Sequence, residues 1–195
     1  MQVIAIYPEG MELVGVDELK ALGATSIRAL RRSASFEADY ACFYRLHLKA
    51  RLPFRFLREI SRFYCSDPKT LYENVQSCFD WGTWLPPDKS FRVDVSGSCP
   101  GLTHSHFTAL QVKNALVDLQ RQKWGKRSYI NVQKPDICLH LHLNQSQAIL
   151  SLDGSGGSLH KRGYRAAMGL APLKENVAAG LIRLCDWNPS TPLID

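Results

Sequence analysis

The amino-acid sequence predicts an α+β (mixed α/β) protein whose first domain is ferredoxin-like. Short β-branched and aromatic runs, typical of strands, alternate with segments in which apolar residues recur every three or four positions, as in amphipathic helices. Over residues 1–65 these segments follow the order β-α-β-β-α-β, which is the ferredoxin-like plan. A new helix-start signal at residues 66–68 then indicates a second unit.

Glycine and proline mark the element boundaries in the first unit. Pro8 and Gly10 end the first strand-like run, Gly23 ends the first helix, and Pro53 ends the second helix. The predicted elements are a strand at 2–7, a helix at 11–22, strands at 25–31 and 34–37, a helix at 39–50 and a strand at 54–63. One face of the second helix is predicted to carry Tyr40, Phe43, Tyr44 and His47.

The second unit is also predicted to mix helices and strands. Ser66 or Asp67 can cap a helix whose first turn accepts Pro68. Further predicted elements are a strand at 91–96, a helix from Thr103 or Ser105 to Gly125, and a hairpin of strands at 137–143 and 147–153. The pattern of the long helix places Ala109, Val112, Leu116 and Leu119 inside, and Lys113, Asn114, Gln120 and Arg121 outside.

A glycine- and serine-rich stretch at 154–158 is typical of a hinge and separates off a last segment. A helix at 173–186, a proline turn at 188–192 and the first residues of a strand at 193–195 follow. Because this is an unusual ending for a domain, we expect a truncated sequence. The predicted domains are 1–65, 66–158 and 159–195.

The net charge of +6 is concentrated in two basic zones. Residues 28–62 carry nine basic side chains against three acidic ones, and residues 113–134 carry six against one. Localised positive charge indicates a polyanionic partner, with nucleic acid first, although solvated helix faces give the same pattern. Aromatic residues interleave with the zones and could either stack on unpaired bases or be buried: Phe36, Tyr40, Tyr44, Phe54, Phe56, Phe63, Trp124 and Tyr129.

The cysteines and the apolar runs argue against secretion and against a membrane span. None of the six cysteines forms a Cys-x-x-Cys pair, and several lie in apolar runs, which predicts buried, reduced thiols. The N-terminus lacks a basic region before its short apolar run, and no run approaches the roughly 20 apolar residues of a membrane helix. We therefore expect a cytoplasmic protein with no membrane partner.

Other candidate sites are weaker. Residues 153–157 (Asp-Gly-Ser-Gly-Gly) lack the complete spacing of a nucleotide-binding glycine loop, so an interdomain turn is the preferred interpretation. Metal ligands could come from His140 with His142, or from Cys99 with two nearby histidines, His104 and His106, but neither set has a spaced second pair. We therefore predict no metal site. No nucleophile, base and acid can be assigned together either, so we also predict no catalytic residue.

Several motifs together resemble one family, the THUMP-containing class I RNA methyltransferases. The motifs are Glu18–Ala24, Phe36-Glu37, Tyr44–Leu48, Val95–Cys99, Leu102–Ser105, Val112–Ala115, Gly125–Arg127, Leu159–Arg165 and Ala171–Asn176. The similarity is greatest to bacterial enzymes that methylate guanine N2 in large-subunit ribosomal RNA. It implies a ferredoxin-like domain, a THUMP RNA-binding domain and the start of a Rossmann-like methyltransferase domain.

The resemblance also implies what this chain lacks. In the family, a glycine-rich loop that holds S-adenosylmethionine follows the strand equivalent to residues 193–195, and an Asn-Pro-Pro-Tyr-type motif lies further on. Neither occurs in this sequence. We therefore expect the full-length protein to be an enzyme that uses this cofactor, and the present chain to be inactive without its C-terminal methyltransferase domain.

The predicted RNA-binding residues are basic side chains near the long helix and in the last segment: Lys113, Arg121, Lys126, Arg127, Arg162 and Arg165. The last two could belong to the same surface or could instead fasten the catalytic domain to the preceding domains. The expected partner is large-subunit ribosomal RNA, or otherwise tRNA. Alternatives are a THUMP module of another tRNA-modifying enzyme, such as a thiouridine synthase, and a basic domain that binds an acidic protein.

Overall fold

The structure is a computed structural model and describes residues 1–165 and 171–194. Its elements in chain order are β1 (Gln2–Ile6), α1 (Glu12–Ala21), β2 (Thr25–Leu30), β3 (Ser33–Glu37), α2 (Tyr40–Lys49), β4 (Arg55–Tyr64), α3 (Pro68–Ser77), α4 (Trp81–Trp84), β5 (Phe91–Ser98), α5 (Ser105–Trp124), β6 (Ile137–Asn144), β7 (Gln147–Asp153) and α6 (Glu175–Leu184). The predicted α+β class is confirmed.

Packing divides the chain into two compact units. Unit 1 contains Met1–Leu57 and the described residues from Gly157 onward, whereas unit 2 contains Arg58–Gly156. The division falls within β4 and, on the other side, within the glycine-rich stretch after β7. Residues beyond this stretch therefore pack with the N-terminal elements.

Unit 1 has the β-α-β-β-α-β order that the sequence predicts. Its strands lie in the order β2-β3-β1-β4, with β3 antiparallel to both β1 and β2. The core includes Val3, Leu19, Phe36, Leu46 and Phe56, all of them fully buried. Alternate residues of β1 and β3 supply this core because successive strand residues point to opposite faces.

Helix α1 lies close to the sheet because it carries a glycine at the contact. A Cβ atom at Gly15 would lie 2.6 Å from ring atoms of the buried Tyr7. The same tyrosine donates a hydrogen bond from its hydroxyl to the Gly15 carbonyl, at 3.4 Å. Burial, followed by the neighbouring Glu18 charge, raises the pKa of Tyr7 well above its usual range.

Helix α2 corrects one prediction. Its buried residues are Cys42, Phe43 and Leu46, whereas Tyr40 and Tyr44 are 58% and 64% exposed. Asp39 caps the helix, since its carboxylate accepts a hydrogen bond from the Cys42 N–H at 2.6 Å. The face of α2 that packs on the core therefore carries Cys42, Phe43 and Leu46, and the two tyrosines lie outside it.

Unit 2 is built around the strand order β4-β7-β6-β5. Strands β5 and β6 are parallel, with Val93 opposite Leu139, and β6 and β7 form the predicted antiparallel hairpin. Because parallel neighbours need a long crossover, the 20-residue α5 connects them and packs on α3 and β5. The core includes Leu71, Phe91 and Leu116.

Three further features differ from the predicted elements. The short α4 has no periodic pattern, and it is held by the buried Trp81, whose indole N–H donates to the Val75 carbonyl at 2.6 Å. Gln120 is 1% exposed and not on the outer face of α5. Leu193 and Ile194 form no strand, and Asp195 lies outside the described residues.

Candidate nucleic-acid interface

The α5–β6 loop, residues 125–136, carries the densest group of predicted RNA-binding residues. Gly125 ends α5 with a φ of +65°, and its N–H donates to the Arg121 carbonyl at 2.9 Å. Glycine adopts this left-handed conformation without steric cost, so the chain can turn sharply there. Lys126 and Arg127 follow immediately, and both are exposed.

Hydrogen bonds to Gln120 hold the start of the loop in place. The Gln120 side chain accepts from the Ser128 N–H at 2.8 Å and donates to the Ser128 hydroxyl at 2.7 Å. It also donates to the Leu85 carbonyl at 2.7 Å. Both Gln120 and Ser128 are 1% exposed. Because buried polar groups need partners, these bonds fix the loop against α5.

The middle of the loop runs along β5. The Phe91 N–H donates to the Tyr129 carbonyl at 3.0 Å, and the Asn131 N–H donates to the Phe91 carbonyl at 3.3 Å. Further along, the Arg92 guanidinium donates to the Val132 carbonyl at 2.8 Å. The backbone of the loop is therefore tied down at several points in succession.

The side chains of the loop point away from these anchors. Tyr129 is 80% exposed and Val132 is 66% exposed. Lys126 and Arg127 have no hydrogen-bond or ion-pair partner among the residues that the structure describes. The loop thus presents free positive charge and an exposed aromatic ring on an ordered backbone.

Lys113 and Arg121 lie on α5, before the loop. They are eight residues apart, or about 12 Å along the helix axis. Arg121 lies 3.5 Å from the Asp118 carboxylate and is more than half exposed, whereas Lys113 is half-buried. Arg121 therefore stands next to the loop with its charge partly neutralised, and Lys113 lies at some distance from it.

Sequence reasoning does not select Lys123. Its ammonium group lies 4.9 Å from the centre of the Trp124 ring. Lys123 and Arg121 also stand in the last turn of α5, where positive charge offsets the negative end of the helix dipole. These two residues therefore have a local role, whereas Lys126 and Arg127 lie beyond the helix.

Arg162 and Arg165 belong to unit 1, whereas the four predicted residues on and after α5 belong to unit 2. The Arg162 guanidinium donates to the carbonyls of His47, Leu48 and Ala50 at 2.8, 3.0 and 2.6 Å. These carbonyls belong to the C-terminal end of α2, which has no intrahelical donors for them. Arg162 therefore fastens the last segment to α2, and any contact with RNA stays a prediction.

Arg165 is also engaged within unit 1. It donates to the Leu173 carbonyl at 2.8 Å and lies 3.4 Å from the Glu175 carboxylate. A surface groove of about 840 Å³ lies beside both arginines, with Lys49 and Asn176 also in its lining. Asn176 is 1% exposed and donates to the Leu52 carbonyl at 3.1 Å, which secures the start of α6.

Several arginines of the first basic zone make local contacts. Arg31 pairs with Glu9 at 3.2 Å, and Arg62 pairs with Glu59 at 3.0 Å. Arg45 donates to the Leu22 carbonyl at 2.9 Å. Among the aromatic residues of the zone, Phe36 and Phe56 are fully buried. Part of the positive charge of this zone is therefore paired locally, and two of its aromatic rings are not available for stacking.

The residues considered for metal and nucleotide sites do not come together. Within residues 1–165 and 171–194, no group of three or more His, Cys, Asp or Glu side chains could hold a metal ion. Cys99 is buried, whereas His104 and His106 are exposed. At the glycine-rich stretch, the Ser155 N–H donates to the Asp153 carboxylate at 2.9 Å, and no helix starts in residues 158–165. This local turn does not fit a nucleotide-binding glycine loop, which a helix would follow.

The predicted burial of the cysteines holds for most of them. All six cysteines are free, and four of them are buried. Cys78 is half-buried and Cys185 is exposed, so burial does not hold for every thiol.

As for a membrane span, no helix in the described part of the chain is long and apolar enough to cross a bilayer.

Three family models match consecutive parts of the chain. They are the RlmL ferredoxin-like domain at residues 2–57, the THUMP domain at 65–153 and the RMKL-like methyltransferase domain at 162–195. The order is the one that the sequence motifs imply, which confirms the resemblance. The α5–β6 loop lies within the THUMP match, and Arg162 lies at the start of the methyltransferase match.

Curated relatives support the same assignment. The Synechocystis sp. protein slr0064, an RNA methyltransferase by name, is 39% identical over 98% of the chain and 50% of its own length. The ribosomal RNA large subunit methyltransferase K/L of Syntrophotalea carbinolica is 41% identical over 96% of the chain and 26% of its own length. The chain thus spans about half of the first relative and about a quarter of the second.

Solved structures show the same fold. A Listeria monocytogenes protein described as a predicted N6-adenine-specific DNA methylase superposes with a TM-score of 0.81 at 28% identity, over 98% of this chain and 50% of that one. SMU.472, described as a methyltransferase complexed with SAH, superposes with a TM-score of 0.79 at 26% identity, over 98% of this chain and 50% of that one.

Proposed function

We propose that this chain, which carries the ferredoxin-like and THUMP domains of the THUMP-containing RNA methyltransferases, is the RNA-binding region of such an enzyme. One observation carries the proposal. Lys126 and Arg127 are exposed in the α5–β6 loop, whose backbone is held by hydrogen bonds, and they have no partner of opposite charge among the described residues. When exposed, unpaired cations bind RNA phosphates, they displace the counterions condensed on the RNA. This counterion release is a large source of affinity for nucleic acid.

The RNA-contacting residues in this proposal centre on the α5–β6 loop. Lys126 and Arg127 neutralise phosphates, Arg121 adds partial charge, and Lys113 extends the surface along α5. Arg162 and Arg165 have a different role, since their guanidinium groups bind backbone carbonyls and Glu175 within unit 1. They position the segment that leads into the methyltransferase domain.

The proposed whole protein methylates guanine N2 of large-subunit ribosomal RNA. The names of the curated relatives and the methyltransferase match at 162–195 support large-subunit ribosomal RNA methylation, whereas guanine N2 is what the resemblance of the sequence motifs implies. S-adenosylmethionine would supply the methyl group, as the SAH complex of SMU.472 suggests. The part that we propose for this chain is to bind and place the RNA.

Two measurements test the proposal. The chain is expected to bind ribosomal RNA fragments with micromolar or weaker affinity that falls steeply as salt rises. Mass-spectrometric mapping of RNA from cells that lack the gene should reveal one missing methylguanosine in large-subunit ribosomal RNA. Binding that does not respond to salt, together with unchanged methylation, would refute the proposal.

The same mapping distinguishes the alternatives. A missing thiouridine in tRNA would indicate the thiouridine synthase class, which the methyltransferase match at residues 162–195 disfavours. A missing tRNA methylation would keep the enzyme class and change the substrate. If the basic surface instead binds an acidic protein, charge reversal at Lys126 and Arg127 should leave RNA binding unchanged.

A further inference from the structure

The α5–β6 loop carries an aromatic side chain that no structural need explains. The Tyr129 side chain is 80% exposed and has no hydrogen-bond partner within the described residues. By contrast, the other large ring near the loop, Trp124, lies under the Lys123 ammonium group at 4.9 Å. Exposing a tyrosine ring to water costs free energy that packing would recover. Such exposure on an ordered backbone is typical of a binding residue.

The backbone under Tyr129 is fixed on both sides. Ser128 is buried and bound to Gln120, and the Tyr129 carbonyl accepts a hydrogen bond from the Phe91 N–H. The Asn131 N–H in turn donates to the Phe91 carbonyl. Because the backbone is already ordered and tyrosine has only two side-chain torsions, little conformational entropy is lost when the ring contacts a ligand.

Arg127 and Tyr129 flank a buried residue of the loop. Ser128 points inward, and its two neighbours Arg127 and Tyr129 are both exposed. A planar ring next to a free guanidinium matches a ligand in which a flat, uncharged group lies next to an anionic one.

We infer that Tyr129 stacks on an unpaired nucleobase of the RNA while Arg127 and Lys126 bind the adjoining phosphates. The inference rests on the proposed function and narrows it, since the substrate must present an unpaired nucleotide at this loop. A base within a continuous duplex is stacked on its neighbours and cannot offer its face to the ring. An acidic peptide would satisfy the two cations but offers no comparable planar surface.

The experiment compares two RNAs that differ only in one unpaired segment. One is a blunt RNA hairpin whose two strands are joined by a non-nucleotide linker, so that every base is paired, and the other is the same hairpin with a single-stranded 3′ extension that contains 2-aminopurine. The proteins are the wild-type chain, Tyr129→Ala, Tyr129→Phe and the control Tyr64→Ala, which removes another exposed tyrosine of unit 2. Affinity is measured for both RNAs at low salt, and 2-aminopurine fluorescence reports stacking.

Tyr129→Ala is expected to weaken binding of the extended hairpin by roughly 5- to 100-fold, the range for loss of one base–aromatic stack. Its affinity for the blunt hairpin should not change. Tyr129→Phe should retain the wild-type affinity and the quenching of 2-aminopurine, because the ring and not the hydroxyl stacks. Tyr64→Ala should behave as wild type with both RNAs.

Two other outcomes overturn the inference. If Tyr129→Ala binds both hairpins as the wild type does, the ring does not contact RNA. If it weakens both equally, the ring contributes no recognition of an unpaired base. In either case the wild-type chain would still bind RNA in a salt-dependent way, so the proposed function would stand. Failure of the wild-type chain to bind either RNA would instead refute the proposed function.

Discussion

Gln120 and Ser128 exchange two hydrogen bonds at the base of the α5–β6 loop. The Ser128 N–H donates to Gln120 Oε1 at 2.8 Å, and Gln120 Nε2 donates to Ser128 Oγ at 2.7 Å. The pair joins the last turns of α5 to the segment that carries the free cations. The candidate RNA surface therefore depends on a buried amide in the helix.

Replacing Gln120 by leucine should destabilise unit 2 and loosen the loop. The change leaves the buried Ser128 N–H without its acceptor, which costs about 1–3 kcal/mol. Urea unfolding measures the decrease in stability, and hydrogen exchange at residues 126–130 should become faster. Gln122→Leu is the matched control, because Gln122 is exposed on the same helix and should change stability little. Equal effects of both variants would contradict this role for Gln120.

Removing the Arg162 side chain should weaken the attachment of the last segment to α2. Arg162→Ala abolishes the bonds to the His47, Leu48 and Ala50 carbonyls, and we expect the unfolding free energy to fall by about 1–3 kcal/mol. Arg162→Lys should recover only part of the lost unfolding free energy, since an ammonium group lacks the planar fork of donors of a guanidinium group. Urea unfolding provides the measurement, with the exposed Lys161→Ala as control. If Arg162→Lys is as stable as the wild type, the guanidinium geometry is not needed to bind these carbonyls.

Glu18 should be sensitive even to an isosteric change. Its carboxylate is 3% exposed and accepts from the N–H groups of Arg51 and Leu52, at 3.1 Å each, and it lies 3.4 Å from the Arg183 guanidinium. Glu18→Gln replaces one acceptor oxygen by a donor and should cost about 1–3 kcal/mol in unfolding free energy. The exposed Asp17→Asn serves as control, and a decrease there of the same size would mean that burial is not the cause.

The two free cations of the loop should set the salt dependence of RNA binding. The double variant Lys126→Ala with Arg127→Ala should lower affinity for blunt and extended hairpins alike. It should also reduce the slope of log K against log salt by about 1 for each phosphate that is no longer neutralised. Lys69→Ala is the control, because Lys69 pairs with Glu73 at 3.9 Å on α3. An unchanged slope in the double variant would place the phosphate-binding residues elsewhere.

Asp67 should make the start of α3 sensitive to acid. Hydrogen bonds from the Thr70 hydroxyl, the Thr70 N–H and the Ser66 hydroxyl lower the pKa of the carboxyl from 3.8 to about 2. A group with a lowered folded-state pKa stabilises the protein above its unfolded pKa, and this contribution is lost as the pH falls through the folded value. Relative to Asp67→Asn, which does not titrate, the wild type should therefore lose thermal stability between about pH 4 and pH 2. If the melting temperatures of the wild type and Asp67→Asn fall equally between pH 4 and pH 2, the Asp67 carboxylate is not the cause of the acid sensitivity.

The element order is determined by local signals in the sequence. Gly23 and Gly125 end helices where only a residue that tolerates positive φ fits, Asp67 and Pro68 start a helix, and strict alternation marks β5. These signals act over a few residues, so the sequence alone predicts nearly every helix and strand. The charge of the second basic zone can be counted in the same way. The motifs of the whole sequence are also enough to assign the family.

Tertiary structure decided which side chains are available to a partner. Gln120 is polar and its spacing predicts the outer face of α5, yet the loop that folds back on it buries it completely. The sequence places Arg162 either on an RNA surface or in a link between domains, and its donors are taken by the carbonyls of α2, more than 100 residues earlier in the chain. Tyr129 is 80% exposed although its backbone pairs with the buried Phe91, which is 38 residues earlier in the chain. Burial and pairing depend on residues distant in sequence, and no local pattern records them.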